Sequence, residues 1–185
     1  MTAALREPDG TPTDGDLLRQ IGAGQVAPLG VLFDRYAATV HGFARRVAPR
    51  EDADDIVQET FLRISRVAET YEARSTNARA WIFGVAFAIV RERRRAVARF
   101  VRALHGLAGR EASRTVAPIG AARAEIERCL DALTPEKREV VVLTEVMGMT
   151  GPEAAEVLGI PVSTVWMRLH HARRELRAMR GGADG

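Results

Sequence analysis

Cysteine and lysine are almost absent from this chain of 185 residues, which holds one of each, Cys129 and Lys137. A single cysteine cannot form a disulfide framework or a cysteine-based metal site within one chain, and we expect it to pack as a small apolar side chain. Positive charge is therefore almost entirely arginine, whose planar guanidinium suits bidentate contacts to phosphates and bases. Codon bias would give the same composition, so both explanations stay open.

Aromatic residues and long apolar runs are also scarce. Aromatics make up 5% of the chain, so the core must be built mainly from alanine, valine, leucine and isoleucine. The longest apolar run, WIFGVAFAIV at 81–90, is far shorter than the roughly 20 residues needed to cross a bilayer, and no membrane insertion is expected. Residues 1–13 lack the apolar segment of a signal peptide and predict a flexible tail, which indicates a cytoplasmic protein.

Helical periodicity dominates what remains. Apolar side chains recur at three- and four-residue steps, and alternating β-branched segments bounded by hairpin turns are missing, which predicts an all-α protein. Glycine and proline become frequent and periodicity fades over residues 101–121, which indicates a flexible linker. We therefore predict two small helical domains, 14–100 and 122–180, followed by a tail at 181–185.

The sequence GPEAAEVLGIPVSTVWMRL, residues 151–169, begins as a helix, stops and resumes at once. An earlier helix is expected to start at Thr134-Pro135 and to run to Gly148. Thr150 and Glu153 then have capping-box spacing, and Gly159 ends the next helix. Two short helices joined by a glycine-containing turn predict a helix-turn-helix, whose second helix would enter the DNA major groove. A plain helical hairpin with a solvated basic face would show the same pattern.

The segment LDALTPEKREVVVLTEVMGMTGPEAAEVLGIPVSTVWMRLHHARRELR, residues 130–177, resembles region 4 of sigma-70-type transcription initiation factors. Residues 52–95, DADDIVQETFLRISRVAETYEARSTNARAWIFGVAFAIVRERRR, are similar to their region 2. The order and separation of the two segments resemble the small two-domain extracytoplasmic-function (ECF) class most. The resemblance implies a sigma factor without catalytic activity or cofactor. Such a protein binds core RNA polymerase, at the β′ clamp helices and the β flap, and directs it to promoter DNA.

The resemblance also implies three sets of contact residues. Region 4 would read the −35 element as duplex DNA through Ser163, Thr164, Trp166, Met167, Arg168, His170, His171, Arg173 and Arg174. Region 2 would read the −10 element during strand separation through Asn77, Arg79, Trp81, Arg91, Arg94 and Arg95. Core polymerase would be bound by Asp54, Asp55, Gln58, Glu59 and Leu62. An anti-sigma factor is expected as a further partner, and the active protein is expected on the nucleoid.

The chain departs from the family pattern at two places. Phe87 and Ala88 stand where an Arg-Asn pair is common, and Gly84 replaces a frequent basic residue. Trp166 and Met167 replace a frequent Lys-Ser pair, which removes one phosphate-binding charge and adds apolar surface suited to a thymine methyl group. These departures predict an unusual promoter sequence, or weak melting that demands a close promoter match. For Trp81, a buried position at the start of its helix is the alternative to a role in DNA reading.

Other functions fit the sequence less well. His170 and His171 point about 100° apart on a helix and cannot easily share a metal, and no familiar catalytic motif occurs, so neither an enzyme nor a metal site is predicted. Another helix-turn-helix regulator would need a receiver or ligand domain, for which no segment is seen. A degenerate sigma-like protein that binds DNA or protein without promoter melting remains an alternative because of Phe87 and Ala88.

Overall fold

The computed structural model describes residues 11–72, 77–105 and 121–181. In these ranges the chain forms α-helices without any strand, which confirms the all-α prediction. The helices are α1 (Asp14–Gly22), α2 (Ala27–Val47), α3 (Ala53–Val67), α4 (Ala78–His105), α5 (Ala121–Asp131), α6 (Pro135–Val141), α7 (Gly151–Leu158) and α8 (Val162–Gly181). Most of the predicted tails and linker lies outside the described residues, and α4 continues past the predicted domain boundary at residue 100. None of the described helices is long and apolar enough to cross a bilayer.

Helices α1 to α4 form a first unit around an apolar core. Thr13 starts α1 with a capping box, and the rings of Phe43 and Phe83 join α2 to α4 with centroids 5.5 Å apart. Helix α1 is held against α2 by Asp14, which accepts hydrogen bonds from Arg35 and from the Tyr36 hydroxyl, at 2.7 and 2.5 Å. Burial, helped by the Asp14 carboxylate, raises the pKa of Tyr36. The phenol therefore stays protonated and keeps donating this bond.

Helices α5 to α8 form a second unit. Thr134 stands at the start of α6, as predicted, although its side chain makes no capping hydrogen bond. The predicted single helix up to Gly148 is in fact two segments, because α6 passes into a π-helical turn over Val142–Val146. Gly148 follows with φ of 65°, a conformation that favours glycine. The wider turn leads the chain towards the start of α7.

The buried Arg138 connects α5 to α6 within the second unit. The residue is only 8% exposed, and its guanidinium donates to the carbonyl oxygens of Leu130 and Asp131 at 2.8 and 2.9 Å. The same group lies 3.1 Å from the Asp131 carboxylate. The last carbonyls of a helix have no partner within the helix, so this arginine satisfies the end of α5 and fixes it to α6.

Replacing Arg138 with methionine should lower the free energy of unfolding by about 3 kcal/mol, because buried carbonyls would lose charged donors. Thermal unfolding followed by circular dichroism measures the change. Lys137→Met is the control, since the neighbouring Lys137 makes only a partly exposed ion pair with Glu175, at 2.6 Å, and should change stability by less than about 1 kcal/mol. Equal stability of the two variants would contradict the role of Arg138.

The helix-turn-helix prediction agrees with the second unit in detail. Thr150 and Glu153 form the expected capping box at the start of α7, and Gly159 ends α7 with φ of 64°. On α8, helical spacing places Val165, Leu169 and Ala172 on one face, and this apolar stripe is buried. The opposite face of α8 is consequently left at the surface, and side chains along it are available to a partner.

Candidate nucleic-acid and polymerase interface

The residues expected to read the −35 element all lie on the surface of α8 or in its partly buried margin. Ser163 and Thr164 occupy the first turn, followed by Trp166 and Met167, which are 51% and 54% exposed. The exposed residues among the nine are Ser163, Trp166, Met167, His170, Arg173 and Arg174, and those partly buried are Thr164, Arg168 and His171. A helix N-terminus with free hydroxyls followed by arginines has the geometry of a recognition helix.

Trp166 differs from its neighbours because it packs on the first residue of α7. A Cβ atom built on Gly151 would lie 2.3 Å from Cζ2 and 2.8 Å from Cε2 of the indole, which is closer than real contacts allow. The ring therefore rests directly on the glycine backbone. One part of the indole is packed and the rest faces solvent beside Met167.

The charged end of α8 contains the candidate phosphate contacts. Arg173 pairs with Glu145 of the π-helical turn, and Arg174 is exposed. The rings of His170 and His171 are 5.8 Å apart and nearly perpendicular. Among the described residues there is no group of three or more histidine, cysteine or acidic side chains arranged to hold a metal ion. Exposed guanidinium groups such as that of Arg174 are chemically suited to phosphate contacts.

Two residues expected to read the −10 element lie at the start of α4 and contact the second unit. The Asn77 side chain accepts from the backbone N–H of Arg79 at 2.9 Å, a capping contact, and donates to Glu153 at 3.1 Å. The Arg79 guanidinium donates to the carbonyl oxygen of Met147. Helices α4 and α7 pack against each other here. Both polar side chains are thus engaged by the helix-turn-helix unit.

Trp81 and Phe87 both pack into protein. Trp81 is partly buried and its ring contacts Tyr71 edge to face, with centroids 5.7 Å apart. Phe87 is 4% exposed, and Arg91 lies over its ring at 5.8 Å. The Phe87 departure from the family pattern therefore contributes core packing in this chain. Gly84 and Ala88 are partly open to solvent, as is Val85 between them.

Arg94 forms one of the ionic contacts between the two units, and Arg50 with Glu127 forms another. Its guanidinium lies 2.6 Å from Glu139 of α6, which is 4% exposed, and also donates to the Val47 carbonyl oxygen at 3.1 Å. Burial raises the pKa of the Glu139 carboxyl, and the nearby Arg94 opposes that shift. Arg91 and Arg95 of the same predicted set are exposed. The Arg94 side chain is itself 41% exposed, so all three arginines lie at the surface and Arg94 also contacts the second unit.

Arg93, which was not among the predicted contact residues, lies among carboxylates of the preceding elements. It is 3.5 Å from Asp52, 3.7 Å from Asp55 and 3.3 Å from Glu59. Glu59 also pairs with Arg63, at 2.9 Å. Two carboxylates expected to bind polymerase thus already balance arginine charges within the first unit. The sequence of residues 91–95, with four arginines among five residues, does not indicate which arginine contacts carboxylates of the first unit.

The residues expected to bind polymerase form one surface on α3. Asp54, Asp55, Gln58 and Leu62 are exposed, and Glu59 is partly buried. Beside them lies a groove between α2 and α3, lined by Phe33, Ala37, Ala38, His41, Asp54, Val57 and Gln58. The residues that α2 contributes to this groove were not predicted from the sequence. Phe33 is 44% exposed although its ring contacts Phe61. In the sequence, Phe33 follows the same apolar spacing as the core residues of α2, so its exposure could not be predicted.

Comparison with known proteins identifies this arrangement. The chain matches the family described as Sigma-70 region 2 over residues 32–100 and that described as Sigma-70, region 4 over residues 123–176. It is 33% identical to the RNA polymerase sigma factor CnrH of Cupriavidus metallidurans, covering 91% of this chain and 95% of CnrH. It is 35% identical to the ECF RNA polymerase sigma factor SigL of Mycobacterium tuberculosis, covering 84% of this chain and 90% of SigL.

Solved structures agree with the sequence matches. The structure of CnrH in complex with the cytosolic domain of CnrY superposes with a TM-score of 0.69 at 30% identity, covering 91% of this chain and 97% of that one. RpoE of Bartonella quintana, solved with the anti-sigma factor NepR, has the same fold, with a TM-score of 0.70 over 84% of this chain and 98% of that one. The chain belongs to the sigma-70 family, in its extracytoplasmic-function class, and is a sigma factor that binds core RNA polymerase and directs promoter-specific transcription initiation.

Proposed function

We propose that the exposed surface of α3 and its groove with α2 bind the β′ clamp helices of core polymerase. The observation that carries this proposal is the exposed Leu62, 51% accessible, on the same helix face as Asp54, Asp55 and Gln58. An apolar side chain surrounded by polar groups is the composition of a protein interface, in which a buried centre has a polar rim. The carboxylates add charge complementarity to a basic partner.

We further propose that α8 reads the −35 element in the major groove and that the start of α4 contacts the −10 element, through the two residue sets described above. In the present arrangement Asn77, Arg79 and Arg94 contact the second unit. Promoter engagement therefore requires the two units to move apart, so that these groups can exchange their internal partners for DNA. Arg91 and Arg95 are accessible in either arrangement. The protein acts as a regulator without chemistry of its own and joins the nucleoid when it is active.

An anti-sigma factor is a proposed partner by similarity to CnrH, whose structure was solved with CnrY. The exposed groove between α2 and α3 offers an apolar surface to such a partner as well as to polymerase. Competition for one surface would keep the protein inactive until the partner is removed. The proposal therefore predicts mutually exclusive binding.

Binding to purified bacterial core RNA polymerase tests the first proposal. Leu62→Arg should weaken binding by at least about tenfold, because it buries a charge at the centre of the interface. Val26→Arg is the matched control, since Val26 is 78% exposed at the start of α2, away from the groove, and should bind like the unchanged protein. Unchanged binding by Leu62→Arg would contradict this surface.

Run-off transcription tests the proposed reading of promoter DNA by α8 and by the start of α4. The holoenzyme should give a discrete, protein-dependent transcript from DNA upstream of its own gene, because many relatives act on their own promoter. If core binding is intact but no promoter DNA supports a transcript, the protein is a regulator that does not melt DNA. If core binding is also absent, the proposed polymerase surface is wrong.

A further inference from the structure

The base-facing surface of α8 contains an apolar patch that the fold does not need. Trp166 and Met167 are each more than half exposed in the first half of α8, although the inward stripe already supplies the apolar contacts that fix the helix. Their neighbours on this face are hydroxyl, imidazole and guanidinium groups. Exposed aromatic surface is unfavourable in water. Because this surface lies on the helix face that would contact the bases, we infer a partner that offers an apolar group.

Packing against Gly151 fixes the position of the Trp166 ring. Any Cβ atom at Gly151 would approach three ring carbons of the indole to 3.0 Å or less. The backbone itself does not require glycine, because Gly151 is the first residue of a regular helix and has no positive φ. The absence of a side chain therefore makes room for the ring. Packed on one side and open on the other, the indole has little freedom to turn away from the groove.

The chemistry of the major groove narrows what this surface can recognise. Base edges there present hydrogen-bond donors and acceptors, and the one apolar group is the C5 methyl of thymine. An indole surface placed against a polar edge would displace water without replacing its hydrogen bonds. We propose that Trp166, positioned by Gly151, selects thymine at a defined position of the −35 element. This proposal rests on α8 reading that element, as argued above.

Deoxyuridine isolates the methyl group in the test. The holoenzyme, made from core polymerase and the full chain, first selects transcribed templates from a library with a randomised −35 element. Each thymidine of the selected element is then replaced singly by deoxyuridine, which keeps base pairing and removes the methyl. At one position this change should lower transcription about fourfold, the effect of one buried methyl group.

Three variants assign the effect. Trp166→Ala should transcribe thymidine and deoxyuridine templates equally well, and Gly151→Ala should lose most of the preference while retaining its helical content. Gly30→Ala is the control, since Gly30 is helical with open space around it, and should keep the full preference. Equal use of both bases by the unchanged protein, or a preference that survives in Trp166→Ala, would overturn the proposal. If the preference for thymidine is lost in Trp166→Ala but retained in Gly151→Ala, the positioning role of the glycine is overturned.

Failure of the broader function would look different. If the holoenzyme selects no template, while core binding remains intact, promoter reading itself is absent and this inference fails with it. If templates are selected but thymine and uracil are equivalent throughout the −35 element, only the inference about Trp166 is wrong.

Discussion

Replacing Arg173 and Arg174 together with alanine should reduce specific transcription by about a hundredfold while leaving binding to core polymerase unchanged. Both arginines follow the base-reading part of α8, where the DNA backbone would run beside the helix. A hydrogen bond to a charged group contributes about 1.5–3 kcal/mol, and two of them account for an effect of this size. Titration of promoter DNA with the holoenzyme, together with run-off transcription, measures the loss.

Salt dependence separates phosphate contacts from other causes. Each arginine that neutralises a phosphate should contribute about one to the slope of log affinity against log salt, so the double variant should lose about two. Arg19→Ala removes an exposed arginine from α1, where it contacts Asp16 and the Gly15 carbonyl oxygen of the same helix, and should change neither slope nor transcription. An unaltered slope in the double variant would show that these arginines do not contact phosphate.

Replacing Glu139 with arginine should separate the two units. The substitution places a positive charge at a buried position beside Arg94. Because the Arg94 side chain is 41% exposed, solvent screens part of this cost, and we expect about 1–2 kcal/mol, which shifts the equilibrium towards separated units by about one order of magnitude. Small-angle X-ray scattering measures the result as a larger radius of gyration than the roughly 16 Å expected for a compact chain of this length. Both units should remain helical.

The reciprocal exchange is the decisive control for this ion pair. Glu139→Arg combined with Arg94→Glu restores opposite charges and should restore much of the compact form. Glu136→Arg changes an exposed glutamate one turn earlier in α6 and should leave the radius unchanged. A compact Glu139→Arg variant would show that the other contacts, among them Arg50 with Glu127 and the packing of α4 on α7, hold the units together without this ion pair.

Local signals in the sequence were sufficient for the helix-turn-helix. Thr150, Glu153 and Gly159 specify where α7 begins and ends through bonds made within three or four residues, and the stripe on α8 follows from helical spacing. The π-helical turn could not be predicted, because the run VVVLTEV fits an α-helix as well as a wider turn. The difference is one extra residue in the hydrogen-bonded loop, which apolar spacing does not encode.

The candidate site was predictable as a set of surfaces and not as a set of contacts. Exposure of α3 and α8 follows from their amphipathic patterns, and the structure places those residues outward. The partners of Arg93 and Arg94 depend on carboxylates in distant helices, as in the Arg94 contact with Glu139. Phe87 was noted in the sequence only as a missing polar residue, and its burial in the core depends on packing that the sequence did not specify; its effect on DNA recognition stays a prediction.

The arginine-rich surface has a consequence for regulation by covalent modification. Lys137 is the only lysine in the sequence, and its ammonium group is paired with Glu175. Acetylation neutralises lysine but has no equivalent on guanidinium groups, and arginine also stays protonated at any physiological pH. The arginine charge available to promoter DNA is therefore insensitive to lysine acylation and to changes in cellular pH. Covering and uncovering these surfaces is a means of control that works even though the arginine charge is constant.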